Sequence, residues 1–114
     1  MLVQKNQFLI ETKEKMRGGE GVVTIKHLAP NETLRSNSRM MAEITIPPGA
    51  SIGYHQHEKE TEYFLFVSGS GTLNDNGKDV PVKSGDVAIT GNGSSHSLTN
   101  TGKRDLVVHA IILM

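Results

Sequence analysis

At 114 residues the chain is long enough for one hydrophobic core and too short for two, so any functional site must lie in or beside that core. Lysine plus arginine and aspartate plus glutamate each number 12, giving a formal net charge of zero, which excludes a general basic field for nucleic acid or an anionic membrane. The absence of cysteine excludes disulfides, thiolate metal sites and thiol nucleophiles, and suits a soluble, cytoplasmic protein.

The N-terminal stretch MLVQKNQFLIETKEKMRGG has only short apolar runs broken by Gln, Asn, Lys and Glu, which is neither a signal-peptide core nor a membrane span. A short strand is expected at residues 7–11, followed by a charged run to Gly18-Gly19. Residues 1–20 read as an extension that packs on the main body, packs on a second subunit, or frays. Gly18, Gly19 and Gly21 are followed by no helical pattern and make no phosphate loop.

Residues 21–114 read as one body of short strands rich in β-branched residues: 22–25, 40–46, 63–67, 87–89 and 106–113. Residues 31–38, NETLRSNS, suit a brief helical turn or a loop. Met40, Ala42, Ile44 and Ile46 alternate with Met41, Glu43 and Thr45, the period of a strand with one buried face, and Pro47-Pro48-Gly49 stops it. Asp75-Asn76-Gly77-Lys78 predicts a hairpin, because Asn and Gly both tolerate positive φ. Further turns at 84–86, 91–93 and 100–103 recur at intervals of about 8–12 residues, the rhythm of an all-β barrel or sandwich.

The stretch GYHQHEKETEY, residues 53–63, carries the chemistry. On a strand, His55 and His57 share a face with Cα atoms roughly 6.5–7 Å apart, so both imidazoles can converge on one ion. On a helix they would diverge by about 200°. Glu58-Lys59-Glu60-Thr61 suits the connecting turn, and Glu62 then shares a strand face with Phe64 and Phe66, which carries a carboxylate into the apolar interior. Such a carboxylate is costly without a compensating cation. A divalent metal held by His55, His57 and Glu62 resolves the conflict, and His96 in SSHSLTN is the fourth candidate ligand. Three imidazoles and one carboxylate leave about two positions open on a six-coordinate ion, where an exogenous ligand can bind.

Residues 49–69 read G-x5-H-x-H-x4-E-x6-G, from Gly49 through His55, His57 and Glu62 to Gly69, and this resembles the first motif of the cupin superfamily. The second cupin motif, G-x5-P-x-G-x2-H-x3-N, is matched by Gly85, Gly93, His96 and Asn100, with Gly91 in the proline place. The resemblance implies a double-stranded β-helix, or jelly-roll barrel, over residues 21–114 with the metal inside, and a homodimer.

Within that superfamily, manganese enzymes acting on oxalate use the same four ligands. The resemblance therefore implies an oxalate decarboxylase-like lyase that binds a small carboxylate such as oxalate. Manganese is the expected ion, although the ligand set also accepts iron, nickel, zinc or copper. Glu58 and Glu60 are the candidates for proton transfer, Arg39 for reaching a bound carboxylate, and Phe64 for lining the ligand cavity. One departure bears on turnover: oxalate decarboxylases place an arginine three residues before the first metal histidine, and here that position is Ile52. Two alternatives use the same barrel: a dioxygenase acting on a flavonol or diketone, and a non-catalytic binder of a small ligand. His27 and His109, in apolar strands, read as barrel histidines rather than ligands.

Overall fold

Alternation sets the sheets. In the computed structural model, which describes residues 1–114, Ala42, Ile44 and Ile46 are buried while Met41, Glu43 and Thr45 face outward, as their period requires. They belong to the third of ten strands: β1 (Leu9–Glu14), β2 (Val22–His27), β3 (Ser38–Ile46), β4 (Ser51–Gln56), β5 (Thr61–Ser68), β6 (Ser70–Asp75), β7 (Lys78–Lys83), β8 (Val87–Thr90), β9 (Ser95–Thr99) and β10 (Leu106–Leu113). Single turns of 3-10 helix occupy Lys5–Gln7, Met16–Gly18 and Asn31–Thr33, the last being the brief turn allowed for residues 31–38. No helix is long and apolar enough to cross a membrane.

The strands form two antiparallel sheets, one ordered β1-β2-β3-β10-β5-β8 and the other β4-β9-β6-β7, the all-β jelly roll expected from the sequence. Between β6 and β7 the chain turns through Asn76 (φ 52°) and Gly77 (φ 100°), the two positive-φ positions of the hairpin. Arg39 lies inside β3 rather than ahead of it, because the strand begins at Ser38 to pair with Leu113 of β10.

One core fills the space between the sheets. Val23, Ile25, Ala42, Ile44, Ile46, Phe64, Phe66, Leu106, Val108 and Ala110 of the larger sheet meet Ile52, Leu73, Val82 and Leu98 of the smaller one. β10 is apolar on both faces. Its even residues enter the core, whereas Val107, His109 and Ile111 lie on the outer face of the larger sheet. There Ile111 pairs with Met41 and Tyr63, Tyr63 with Ile89, and Leu65 with Val87, so apolar side chains run unbroken across four strands. His27 and His109 are satisfied locally, by Glu11 at 2.7 Å and Glu43 at 2.9 Å.

Candidate metal centre

Four side chains from three strands and one loop meet between the sheets. β4 supplies His55 and, just past its end, His57; β9 supplies His96, directly opposite His55 in register; β5 of the other sheet supplies Glu62. The ligand atoms of His55, His57, Glu62 and His96 all lie within 4.8 Å of one another. The three imidazole Nε2 atoms form a triangle with edges of 3.0, 3.1 and 3.2 Å. Glu62 Oε1 stands 3.0 Å from the Nε2 of both His57 and His96.

What lies behind each ring decides what its Nε2 can do. His55 Nδ1 donates to the Gly53 carbonyl at 2.7 Å and His57 Nδ1 donates to Glu60 Oε1 at 2.9 Å, since carbonyl and carboxylate oxygens only accept. In the neutral imidazoles this turns the Nε2 lone pairs toward the cluster centre. His96 Nδ1 is 2.9 Å from Thr90 Oγ1, and Phe64 stacks on the His96 ring at 4.9 Å and 9°. Converging lone pairs and a carboxylate repel unless a positive charge stands among them. A proton can bridge two of these atoms, whereas a multivalent cation engages all four. Edges near 3.1 Å are also those of one octahedral face with ion–ligand bonds of about 2.2 Å, the range of first-row divalent ions.

Protonation follows the same logic. In the metal-free cluster, where protons rather than an ion stand among these atoms, burial alone would raise the Glu62 carboxyl, but hydrogen bonds from His57 and His96 outweigh it and hold it at about 2. His57 is raised, first by its bond to Glu62, against the opposing effect of burial, and then by Glu60. Burial is the largest influence on His55 and pushes it down, favouring the neutral ring that a metal needs.

The other expected residues fall in different places. Phe64 is 2 % exposed and borders the cavity, where it fixes the plane of His96. Arg39 also lines the cavity, but its guanidinium is engaged: Nε and Nη2 donate to the two oxygens of Glu60 at 2.6 and 2.8 Å. Glu60 is therefore no solvated turn residue. It stands behind His57, on the side away from the cluster, and the Arg39 bond holds its carboxyl below the ordinary range. Glu58 is exposed on the loop, and neither glutamate lines the cavity.

The cavity has a volume of about 440 Å³ and is bordered by His55, His57 and Glu62 at its buried end. Its exposed rim includes Lys13, Lys15 and Arg17, with Met16 half-buried between them, residues of the N-terminal extension to which the sequence assigned no site role. Thr90 also escaped sequence reading, although its place at the inward-facing end of β8, opposite Glu62, follows from alternation once the strand is known. Asn100, the last residue of the second motif, is structural: Nδ2 donates to the carbonyls of Ile46 and Arg104, and Oδ1 accepts from Gly102 N. Gly91, in the proline place, packs so closely on Thr61 that a Cβ would stand 2.4 Å from its hydroxyl.

Comparison with known proteins gives a consistent picture. The family model described as Cupin domain matches residues 42–112. The chain is 43 % identical over 114 residues to an oxalate-binding protein of Thermotoga maritima, covering all of this chain and 94 % of that one. It superposes with a TM-score of 0.94 on a Thermotoga maritima crystal structure described as a predicted oxalate decarboxylase, at 43 % identity and over 100 % of this chain and 99 % of the other. The polyketide cyclase RemF of Streptomyces resistomycificus shares the fold, with a TM-score of 0.77 at 17 % identity, over 99 % of this chain and 78 % of its own.

Proposed function

The chain belongs to the cupin family, and we propose that it holds one divalent ion on His55, His57, Glu62 and His96 and binds a small carboxylate, with oxalate the type ligand. The observation that carries this reading is the inward convergence of the Nε2 atoms beside a buried carboxylate, each ring fixed from behind. When bound, the ion supplies a Lewis acid and a template for a chelating anion. Manganese is the ion we propose, on the family likeness. The 43 % identity to a protein named for oxalate binding supports the ligand class.

Binding is better supported than turnover. Ile52 offers an apolar wall where a polarising arginine would serve decarboxylation, and Glu58 and Glu60 stand outside the cavity. For either to deliver a proton, the 57–60 loop must move and Arg39 must release Glu60. We assign Glu60 instead to positioning His57, and Arg39 to holding Glu60. Residues 1–20 extend the barrel of residues 21–114 and serve the same site, because Lys13 to Arg17 border its cavity.

We also propose a homodimer formed through the outer face of the larger sheet. Ile89 is 61 % exposed, Val87 59 % and Met41 41 %, an apolar expanse that a second copy would cover. A second functional reading, a dioxygenase for a flavonol or diketone, draws support from the cavity's size, and the cationic rim counts against a neutral substrate.

Calorimetric titration of manganese-loaded protein with oxalate tests the leading reading. Saturable binding that disappears in His96→Ala supports it, and its absence from the loaded protein overturns it. Release of carbon dioxide and formate above the His96→Ala background would extend the reading to a lyase. Oxygen uptake with a diketone would favour the dioxygenase.

A further inference from the structure

The cavity is too large for oxalate alone. About 440 Å³ falls within the ~300–1,000 Å³ that encloses drug-sized ligands, several times the space of a six-atom dianion. Its walls divide by chemistry. Ile52, Phe64 and Ile112 share the buried end with the metal-side donors, Met16 and Met40 add half-buried apolar wall, and the exposed Lys13, Lys15 and Arg17 border the outer end.

The cationic end belongs to a strap that is fixed in place. A Cβ on Gly53 would stand 2.1 Å from the Arg17 carbonyl, and one on Gly19 would stand 2.3 Å from the Ser51 carbonyl, so the strap lies on β4 in a contact that only glycine permits. Ser51 N donates to the Glu20 carbonyl at 2.8 Å, and Glu20 N donates to Ser51 Oγ at 2.8 Å. Lys15 (φ 48°) and Arg17 (φ 54°) are both held in the left-handed region, a conformation unfavourable to residues with a Cβ and retained where surrounding contacts impose it.

Charge at this end is free to meet a ligand. Arg39 is occupied by Glu60, and Glu11 is engaged by His27, whereas Lys13, Lys15 and Arg17 form no ion pair. Against these three cations stand the acids Glu11 and Glu14, which leaves the rim net positive by one charge.

We propose that this strap is a second anion-recognition element, and that the ligand is a dicarboxylate longer than oxalate, with one carboxylate at the metal end, an apolar middle, and the other carboxylate at Lys15 and Arg17. The inference rests on the carboxylate-binding reading above and adds the length and second charge of the ligand. It also places a cationic partner for the ligand in a site whose inner wall carries Ile52.

The test titrates manganese-loaded protein with oxalate, malonate, succinate, glutarate and adipate, and with the monocarboxylates butyrate and hexanoate. The same series is run on the double variant Lys15→Asn/Arg17→Asn, since asparagine tolerates positive φ and keeps the strap's backbone. Lys103→Asn, a cation remote from this cavity, is the control for general charge. The expected result is affinity at least tenfold higher for glutarate or adipate than for oxalate. That preference should vanish in the double variant, with bound metal within twofold of the parent, oxalate weakened less than the longer acids, and no effect of Lys103→Asn. Tightest binding for oxalate, or equal weakening of every acid by all charge-removing variants, overturns the proposal while leaving carboxylate binding intact. Failure of oxalate and every longer acid to bind the loaded protein overturns both readings.

Discussion

Removing Glu60 separates a positioning role from a proton-transfer role. Its carboxylate accepts the Nδ1 proton of His57 at 2.9 Å and a two-pronged bond from Arg39 at 2.6 and 2.8 Å, while His57 itself is 2 % exposed. In Glu60→Ala the buried Nδ1–H loses its acceptor, and the ring loses both orientation and basicity. Loss of such an outer carboxylate typically costs about 10–100-fold in metal affinity, or about 1.4–2.8 kcal/mol. Glu60→Gln keeps an acceptor without the charge and should stay near the low end of that range. Arg39→Gln leaves the carboxylate in place, and because the arginine is partly exposed the loss should be only a few-fold. Chelator competition for manganese, read at equilibrium on all three variants, gives the ranking Ala, Gln, then Arg39→Gln. Unchanged metal affinity in Glu60→Ala accompanied by lost turnover would refute positioning and make Glu60 the proton donor.

Three further outcomes follow from the geometry. In the metal-free protein Glu62 lies at about 2 against an ordinary 4.5, so its contribution is complete above about pH 4.5 and drains as pH falls toward 2, on the order of 3 kcal/mol. His57 is raised above 6.5, so its contribution is complete below that value and is lost as pH rises through the raised one. The metal-free melting temperature should therefore peak between these limits, and manganese should abolish the alkaline fall because it binds deprotonated ligands; identical scanning-calorimetry profiles with and without chelator would refute this. Gly53→Ala pushes a Cβ against the Arg17 carbonyl and should destabilise by about 1–3 kcal/mol, with faster tryptic cleavage at Lys15 and Arg17 and weaker metal binding through His55. Ile89→Lys places a charge in the proposed dimer face and should shift sedimentation equilibrium to monomer while the monomer still folds, an outcome that an unchanged molecular mass would contradict.

The local patterns were the legible ones. Alternation in Met40–Ile46 marked both faces of β3, Asn76-Gly77 marked the hairpin, and the spacing of His55, His57 and Glu62 placed three side chains that the structure brings together with His96. The partners that hold those side chains were not legible, because they are set by contacts between sheets and loops. Thr90 meets His96 only when β8 lies beside β5. Glu60 looked like a turn residue because nothing local indicates that Arg39, on a strand, will reach it. His109 was undecidable by parity on a strand apolar to both sides, until Glu43 across the β3–β10 ladder fixed its face. The charged run after Glu11 read as an extension because its role depends on the packing of Gly19 against Gly53, far apart in sequence.

The central claim is that four side chains are built around a cation, and elemental analysis of untagged protein purified without chelator tests it most directly, beside His57→Ala. About one equivalent of a divalent first-row metal per chain, retained through gel filtration and lost in the variant, is the predicted result. A wild-type protein that binds no ion even after reconstitution with manganese, iron, nickel, copper and zinc would contradict the account at its base.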